Sequence, residues 1–148
     1  MMHVVRAATL AAAFVAAMAG SGRAVAATAT ITDAWFRALP ASLPSGGYFT
    51  LHNTSAKPLT LTGAQSPACG MLMLHKSEEM NGMSTMSSVA KVDVPAGGTL
   101  TFAPGGYHLM CMSPTALMKQ GSSVPATLDF ADGSKITASF AVRSASGK

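Results

Sequence analysis

The sequence predicts an all-β fold, either a sandwich or a barrel, and three observations lead to that prediction. Short apolar or alternating runs recur along residues 27–148, and hardly any stretch has its apolar residues at helical spacing. Gly, Pro, Asn and Ser break these runs at short intervals, as the turns of β-proteins require. The roughly 120 residues after an N-terminal leader are enough for one hydrophobic core. We therefore expect a single domain over residues 27–148.

Candidate strands follow one another along the whole domain. They cover residues 29–36, 47–53, 59–65, 70–75, 85–92, 99–102, 107–112, 124–130 and 135–142. Turn residues separate several of them, at 53–55 (Asn-Thr-Ser), 95–98 (Pro-Ala-Gly-Gly), 104–106 (Pro-Gly-Gly) and 132–134 (Asp-Gly-Ser). The exception is residues 113–120, where Ser113, Pro114 and Gly121 have the types that cap, open and close a short helical turn.

Residues 1–26 have the pattern of an export signal. A short start carrying Arg6 precedes an apolar run over residues 7–20, and the small residues Ala24-Val25-Ala26 follow at a cleavage position. The run is shorter than the roughly twenty residues of a spanning helix, and no later segment matches that length. We expect cleavage after Ala26 and a mature periplasmic protein without a membrane span.

The charge of the chain excludes some partners. Without Arg6 and Arg23 the formal charge of +4 falls to about +2. No Lys/Arg cluster with interleaved aromatic residues occurs, so nucleic acid is not an expected partner.

Methionine is concentrated in one part of the chain. Of the eleven methionines, three precede the predicted cleavage site, and seven of the other eight lie between Met71 and Met112. His75 and His108 lie in the same stretch. Thioether sulfur is a soft donor and imidazole a borderline one, so this mixture without carboxylates favours Cu(I). Zinc would more often recruit cysteine or carboxylate ligands.

Strand alternation groups these donors by face. In the 107–112 strand, His108, Met110 and Met112 share one face and Leu109 and Cys111 the other. In the preceding Met-containing strand, the residues on one face are Met71, Met73 and His75. A segment with glycine, residues 78–85, then leads to Met86.

The spacing of four of these residues resembles a known signature. Ten residues separate His75 from Met86, twenty-one separate Met86 from His108, and one separates His108 from Met110. This is similar to the His/Met pattern of the periplasmic PCu(A)C copper chaperone family. Further landmarks of that family occur in the same order: 31–37 (ITDAWFR), Gly47-Tyr48 followed by Asn53, 95–98 and 104–110 (PGGYHLM).

The resemblance implies a cupredoxin-like Greek-key β-barrel with an exposed Cu(I) site formed by His75, Met86, His108 and Met110. It also implies a monomeric metallochaperone that delivers copper towards the CuA centre of cytochrome oxidase, with the oxidase subunit or a Sco-type thiol protein as acceptor. The chain departs from the family where a second Met often occurs, because Lys76 and Ser84 stand there. Met80 and Met83 are shifted candidates for an auxiliary ligand.

The sequence does not decide whether the two cysteines form a disulfide. Export favours a disulfide between Cys69 and Cys111. Cys69, however, lies six residues before His75, on the order of 20 Å along an extended strand, so a bridge requires a bend at Gly70. Direct metal ligation by Cys111 would require the strand to turn it to the other face.

Other functions compete with the chaperone. A blue-copper electron carrier needs a Cys thiolate beside two His, and Cys111 faces away. An enzyme is not expected, because no catalytic triad order, paired carboxylates or phosphate loop is apparent. A copper-buffering protein and a metal-free packing module remain alternatives. His52, Trp35 and Tyr48 are interpreted as ordinary surface or packing residues, and Met71 and Met73 as packing residues as well.

Overall fold

The computed structural model describes residues 28–148. The predicted signal segment, residues 1–26, lies outside the described residues. Ten strands occur in chain order: β1 (Ala29–Arg37), β2 (Ser45–Asn53), β3 (Leu59–Gln65), β4 (Cys69–Met80), β5 (Met83–Ser88), β6 (Val92–Val94), β7 (Thr99–Phe102), β8 (Tyr107–Pro114), β9 (Ser123–Phe130) and β10 (Lys135–Arg143). The prediction of an all-β fold is confirmed for this part of the chain.

The strands form one continuous hydrogen-bonded sheet that folds around a single core. Its order is β5-β4-β8-β2-β1-β10-β9-β3-β6, and β7 pairs with β2 beside this path. Only β1 and β10 run parallel; the other described pairs are antiparallel. The pairing of strands far apart in sequence is what a Greek-key connection produces.

The core is built from the inward-facing residues of these strands. Phe36, Phe49, Phe102 and Phe140 are almost fully buried. The ring centroids of Phe49 and Phe102 are 4.5 Å apart, and those of Phe36 and Phe140 are 5.0 Å apart. Offset aromatic pairs at such distances stabilise a core beyond simple burial of area. Leu74 of β4 and Leu109 of β8 also face this core, which leaves the opposite face of these two strands outside it.

The β4–β5 hairpin is longer than predicted. The strand predicted for residues 70–75 extends from Cys69 to Met80, and β5 begins at Met83. Asn81 and Gly82 connect them with φ values of 53° and 74°. Positive φ at both central residues is the requirement of a type I′ turn, which Asn-Gly fills well.

The strand predicted for residues 85–92 is two strands. Met83–Ser88 pairs with β4, whereas Val92–Val94 pairs with β3 on the far side of the sheet. The chain must leave one partner and cross to the other, so residues 89–91 belong to neither strand.

The predicted helical turn at residues 113–120 was wrong. Ser113 lies in β8 with a left-handed φ of 49°, which rules out the extended conformation of a helix N-cap. The backbone N–H of Thr115 donates to the carbonyl of Ala68 at 2.9 Å, which ties this segment to the neighbouring loop. Met118 N–H then closes a single turn on the Thr115 carbonyl at 3.0 Å.

A disulfide joins Cys69 to Cys111, with their Cα atoms 5.4 Å apart. The open question at these residues is thus answered in favour of a bridge. The strand pair bends at this end, where Ser113 has a left-handed φ and a Cβ at Gly70 would lie 3.0 Å from the Ser113 Cβ. Glycine at position 70 permits this close approach. Both sulfurs are buried in the core.

Within residues 28–148, no helix has the length and apolar character needed to cross a membrane.

Candidate metal centre

The two histidines of the signature stand opposite each other on neighbouring strands. His75 of β4 is in register with His108 of β8, and their ring centroids are 5.7 Å apart. Antiparallel pairing places directly opposite side chains on the same face of the sheet. The neighbours Leu74 and Leu109 point into the core, so both imidazoles lie on the outer face.

Each imidazole has one nitrogen engaged and one nitrogen without a protein partner. The Nδ1 atom of His108 lies 3.3 Å from the carbonyl oxygen of Gly106. Because a carbonyl can only accept, Nδ1 carries the proton and Nε2 holds a lone pair. The Nε2 atom of His75 lies 3.1 Å from the Ser88 hydroxyl. His75 Nδ1 and His108 Nε2 are both buried and have no hydrogen-bond partner among residues 28–148.

Such an arrangement suits a metal ligand. Buried polar atoms are normally hydrogen-bonded, so an unpartnered buried imidazole nitrogen calls for an explanation. Metal-binding histidines commonly donate their other N–H to a carbonyl or hydroxyl group, which fixes the ring and its tautomer. Gly106 and Ser88 hold these positions for His108 and His75, respectively.

A cleft of about 400 Å³ is lined by three of the four signature residues, whereas His75 adjoins it through its pairing with His108. Met86, His108 and Met110 all line it. Met110 follows His108 on the same face of β8, and Met86 reaches the cleft from β5, opposite Ser77. Exposure increases across the site, from His108 at 6% to Met86 at 55%.

Part of the cleft lining is aromatic and cationic. Gly46 of β2 pairs with Met110, and a Cβ at Gly46 would meet the Tyr48 hydroxyl oxygen at 2.5 Å. Glycine therefore leaves room for the Tyr48 ring beside Met110. Tyr48 packs on Trp35 at 4.6 Å, as the packing interpretation expected, and the Arg37 guanidinium lies 5.5 Å from its ring centre. Tyr48 and Arg37 also line the cleft, a position that the sequence did not reveal.

Met80 and Met83 are not placed with the other donors. They pair with each other beside the hairpin turn, with exposures of 58% and 69%. The regular alternation of β4 and β5 puts them on the face opposite His75 and Met86. The hypothesis of an auxiliary ligand at these positions is therefore not supported by the geometry of the hairpin.

The remaining histidine of the described chain has ordinary partners. His52 Nδ1 lies 3.0 Å from the Thr99 hydroxyl, and His52 Nε2 lies 3.4 Å from the Thr32 hydroxyl. Both of its nitrogens are engaged, in contrast to those of His75 and His108.

The donor set determines which metal could be held. Within the described residues, no three His, Cys, Asp or Glu side chains converge as a metal site would require. The further side-chain donors that line the cleft with His108 include the thioethers of Met86 and Met110, and such a set favours a soft cation over zinc or magnesium. Neither cysteine can contribute a thiolate, since both are joined in the disulfide.

The environment of His75 favours its metal-binding form. Partial burial, followed by the proximity of His108, lowers the pKa of His75 below its ordinary value of 6.5. Both effects disfavour the imidazolium. The neutral ring, which alone can donate a lone pair to a metal, is correspondingly favoured.

Sequence reasoning missed Ser88 and the Gly106 carbonyl, which orient the two imidazoles. Gly106 lies two residues before His108, and its backbone carries no sequence signal for this role. Ser88 is thirteen residues from His75 and becomes its neighbour only through the register of the β4–β5 hairpin. Recognising it would have required the hairpin turn at Asn81-Gly82.

Comparisons with known proteins identify the family of this chain. The family model described as putative lipoprotein LpqE-like matches residues 29–142. A putative lipoprotein of Leifsonia xyli subsp. xyli is 33% identical over 118 residues, which are 79% of this chain and 70% of the relative.

Solved structures show the same fold. The solution structure of CuI-DR1885 from Deinococcus radiodurans is 32% identical, has a TM-score of 0.62, and is matched over 86% of this chain and 85% of that one. The copper-bound PCuAC domain from PmoF2 is 21% identical with a TM-score of 0.65, over 80% of this chain and 94% of that one. The expected cupredoxin-like fold is thereby confirmed. The chain belongs to the LpqE-like family and carries a domain of the PCuAC type.

Proposed function

We propose that this protein is an exported Cu(I) metallochaperone that holds the ion with His75, Met86, His108 and Met110. One observation carries the proposal: two buried imidazole nitrogens, which have no partner in the described part of the chain, lie on the sheet face that also presents two thioethers. The resemblance to copper-bound PCuAC domains supports copper as the ion. The protein carries the ion and catalyses no reaction.

The site combines retention with release. His108 is almost buried and its ring is held by Gly106, so the inner part of the site is fixed before metal binds. Met86 is more than half exposed and stands on a hairpin at the edge of the sheet. A partner's ligand can displace Met86 first and then take the ion by exchanging one ligand at a time. Thioethers do not bind protons in the physiological range, so the release of Met86 from the ion takes up no proton.

The disulfide argues against the electron-carrier alternative. A blue-copper site requires a cysteine thiolate with two histidines. The sequence contains two cysteines, and both are consumed by the bridge on the inner face of the sheet. A colourless copper complex is therefore expected rather than an intensely blue one.

The compartment and the acceptor are part of the proposal. The leader pattern of residues 1–26 and a buried disulfide both suit the periplasm or another oxidising compartment. The relatives described as putative lipoproteins are consistent with a location outside the cytoplasm. We propose delivery by the monomer towards the CuA centre of cytochrome oxidase, with the oxidase subunit or a Sco-type protein as acceptor. Copper buffering is the alternative role.

A Cu(I) titration against a chromophoric chelator tests the metal site. The mature protein is expected to bind tightly, and the His75→Ala/His108→Ala variant is expected to lose that tight binding because both imidazole donors are gone. His52→Ala is the matched control, since its nitrogens bond to threonine hydroxyls and its loss should leave the affinity unchanged. Equal affinities in all three proteins would contradict the assignment.

The thioethers have their own matched pair of variants. Met110→Ile should weaken Cu(I) binding while the domain stays folded, because a branched hydrocarbon replaces the sulfur donor with little change in volume. Met80→Ile makes the same substitution on the opposite face of the hairpin and should leave the affinity unchanged. If both variants bind as the unmodified protein does, Met110 is not a ligand.

A further inference from the structure

The outer face of β4 and β8 carries a row of three cross-strand pairs. Met71 is in register with Met112, Met73 with Met110, and His75 with His108. The last pair, together with Met110, belongs to the metal centre described above. The remaining methionines, Met71, Met73 and Met112, have no place in that four-ligand set. We call these three residues the methionine ladder.

The ladder is open to solvent. Met71 is 58% exposed, Met112 is 36% exposed, and Met73 is half-buried between them and the histidine pair. Core packing was the sequence interpretation of Met71 and Met73, but their strand neighbours Leu72 and Leu74 occupy the core instead. The three thioethers are therefore presented outward from the sheet, where gap-filling does not explain them.

Strand geometry brings the three sulfurs within reach of one ion. Directly opposite residues have Cβ atoms about 4.5–5.5 Å apart, and the next pair lies about 7 Å further along the strands. Methionine has three rotatable side-chain bonds, so sulfurs based on adjacent pairs can converge without a change in the backbone. Met71, Met73 and Met112 form such a triangle.

We propose that the methionine ladder is a second, weaker site for Cu(I), formed by three neutral thioethers. It contains no imidazole and is more exposed than the His/Met site, so it holds the ion less tightly. Soft thioether donors select Cu(I) or Ag(I) over hard cations. Copper as the natural cargo rests on the proposed function, whereas binding of a soft ion by the ladder does not.

Its position beside the first site gives the ladder a role in loading. Met73 of the ladder lies directly opposite Met110 of the His/Met site, so the two sites meet at this cross-strand pair. Transfer proceeds as a bond from copper to the Met110 sulfur forms and the bond to the Met112 sulfur breaks. The charge of the ion stays +1 throughout, and no electron or proton is exchanged.

NMR of the mature protein labelled with ¹³C at the methionine methyl groups tests this directly, with Ag(I) and anaerobic Cu(I) as probes. The first equivalent should shift the methyl signals of Met86 and Met110. The second should shift those of Met71, Met73 and Met112. The buried Met118, together with Met80 and Met83 on the other face of the hairpin, provides internal controls whose signals should not move.

Leucine variants separate the two sites. Met71→Leu/Met73→Leu/Met112→Leu should lose the second equivalent and keep the first at unchanged affinity, whereas Met80→Leu/Met83→Leu should keep both. The His75→Ala/His108→Ala variant should still bind one weak equivalent that shifts the ladder methyl signals. If the ladder methyl signals still shift in that variant, the ladder binds a soft ion by itself. This conclusion would hold even if the chelator titration showed that the His/Met site does not bind Cu(I).

Two results would overturn the proposal. One is a second equivalent that leaves the ladder methyl signals in place. The other is a ladder variant that binds as many ions as the unmodified protein, which would make the row an apolar surface with no metal-binding role.

Discussion

The positions of His75 and His108 show that alternation along a strand predicts the sheet face on which a single side chain lies. Because the sheet packs its core on one face only, leucines at every second position fixed which face the histidines and methionines would take. The sequence was therefore informative about the face of each donor. It did not predict that Ser88 and the Gly106 carbonyl are hydrogen-bond partners of the two imidazoles. Ser88 becomes a partner through the strand register and Gly106 through its backbone, and neither leaves a pattern in the sequence.

The lowered pKa of His75 predicts how the stability of the metal-free protein changes with pH. The folded state binds a proton at His75 less readily than the unfolded state, whose pKa is near 6.5. Stability from the neutral ring is thus fully present above that value and is lost as the pH falls through the lower folded pKa. Urea unfolding at about pH 7.5 and about pH 5 should show a smaller loss of stability for His75→Asn than for the unmodified protein. Identical losses would contradict the assignment of this shift to His75.

At the level of elements, the β4–β5 hairpin was the least predictable part of the site. Asn-Gly is a strong hairpin signal when alternating apolar residues flank it. Here the flanking residues are largely Glu, Ser and Thr, because the end of the hairpin extends past the core and buries little. The polar pattern favoured a loop, and only the strand register shows that Met86 is held opposite Ser77.

The turn of this hairpin should influence copper binding from a distance. Gly82→Ala forces a side chain into a left-handed conformation, at a cost of about 1 kcal/mol. Because few apolar contacts hold the hairpin, this strain raises the population of open hairpins, in which Met86 is displaced. We expect Cu(I) affinity to fall by up to about fivefold in the chelator titration.

Gly97→Ala is the matched control for that variant. Gly97 also has a positive φ, 67°, and has open space around its Cα, but it lies in the turn between β6 and β7. It should reduce the stability of the domain to a similar degree without changing Cu(I) affinity. A comparable loss of affinity in both variants would indicate a general effect of destabilisation.

For the whole molecule, the fold class was predictable from the sequence, whereas the pairing of distant strands that closes the sheet around its core was not. Turn residues and short runs indicate an all-β domain locally, whereas pairs such as β1 with β10 depend on contacts across nearly the full sequence. The sequence did not decide between a disulfide and two separate cysteines for the same reason. A fully extended 69–75 segment would separate the sulfurs, and the bend at Gly70 and Ser113 is a tertiary feature.

Removal of the disulfide tests its contribution to the stability of the domain. The bridge spans a sequence separation of 42 residues, so its loss in Cys69→Ala/Cys111→Ala should lower the free energy of unfolding by about 4 kcal/mol. This corresponds to a fall in Tm of about 10–20 °C, measured by calorimetry. Cu(I) affinity of the folded variant should stay the same, since alternating core leucines also fix the register of β4 and β8. A change in affinity would implicate the sulfurs of the bridge in metal binding.

The sulfur atoms of strand β8 differ in how easily oxidants can reach them. Cys111 is already a disulfide inside the core, whereas Met110 and Met112 face outward, where peroxide can convert a thioether to a sulfoxide. Sulfoxidation would replace soft donors with polar groups but would leave the buried aromatic residues and the bridge untouched. Under the proposed ligand set, oxidative damage would deprive the protein of its metal while the folded domain survives, and sulfoxide reductases could restore the site without any refolding.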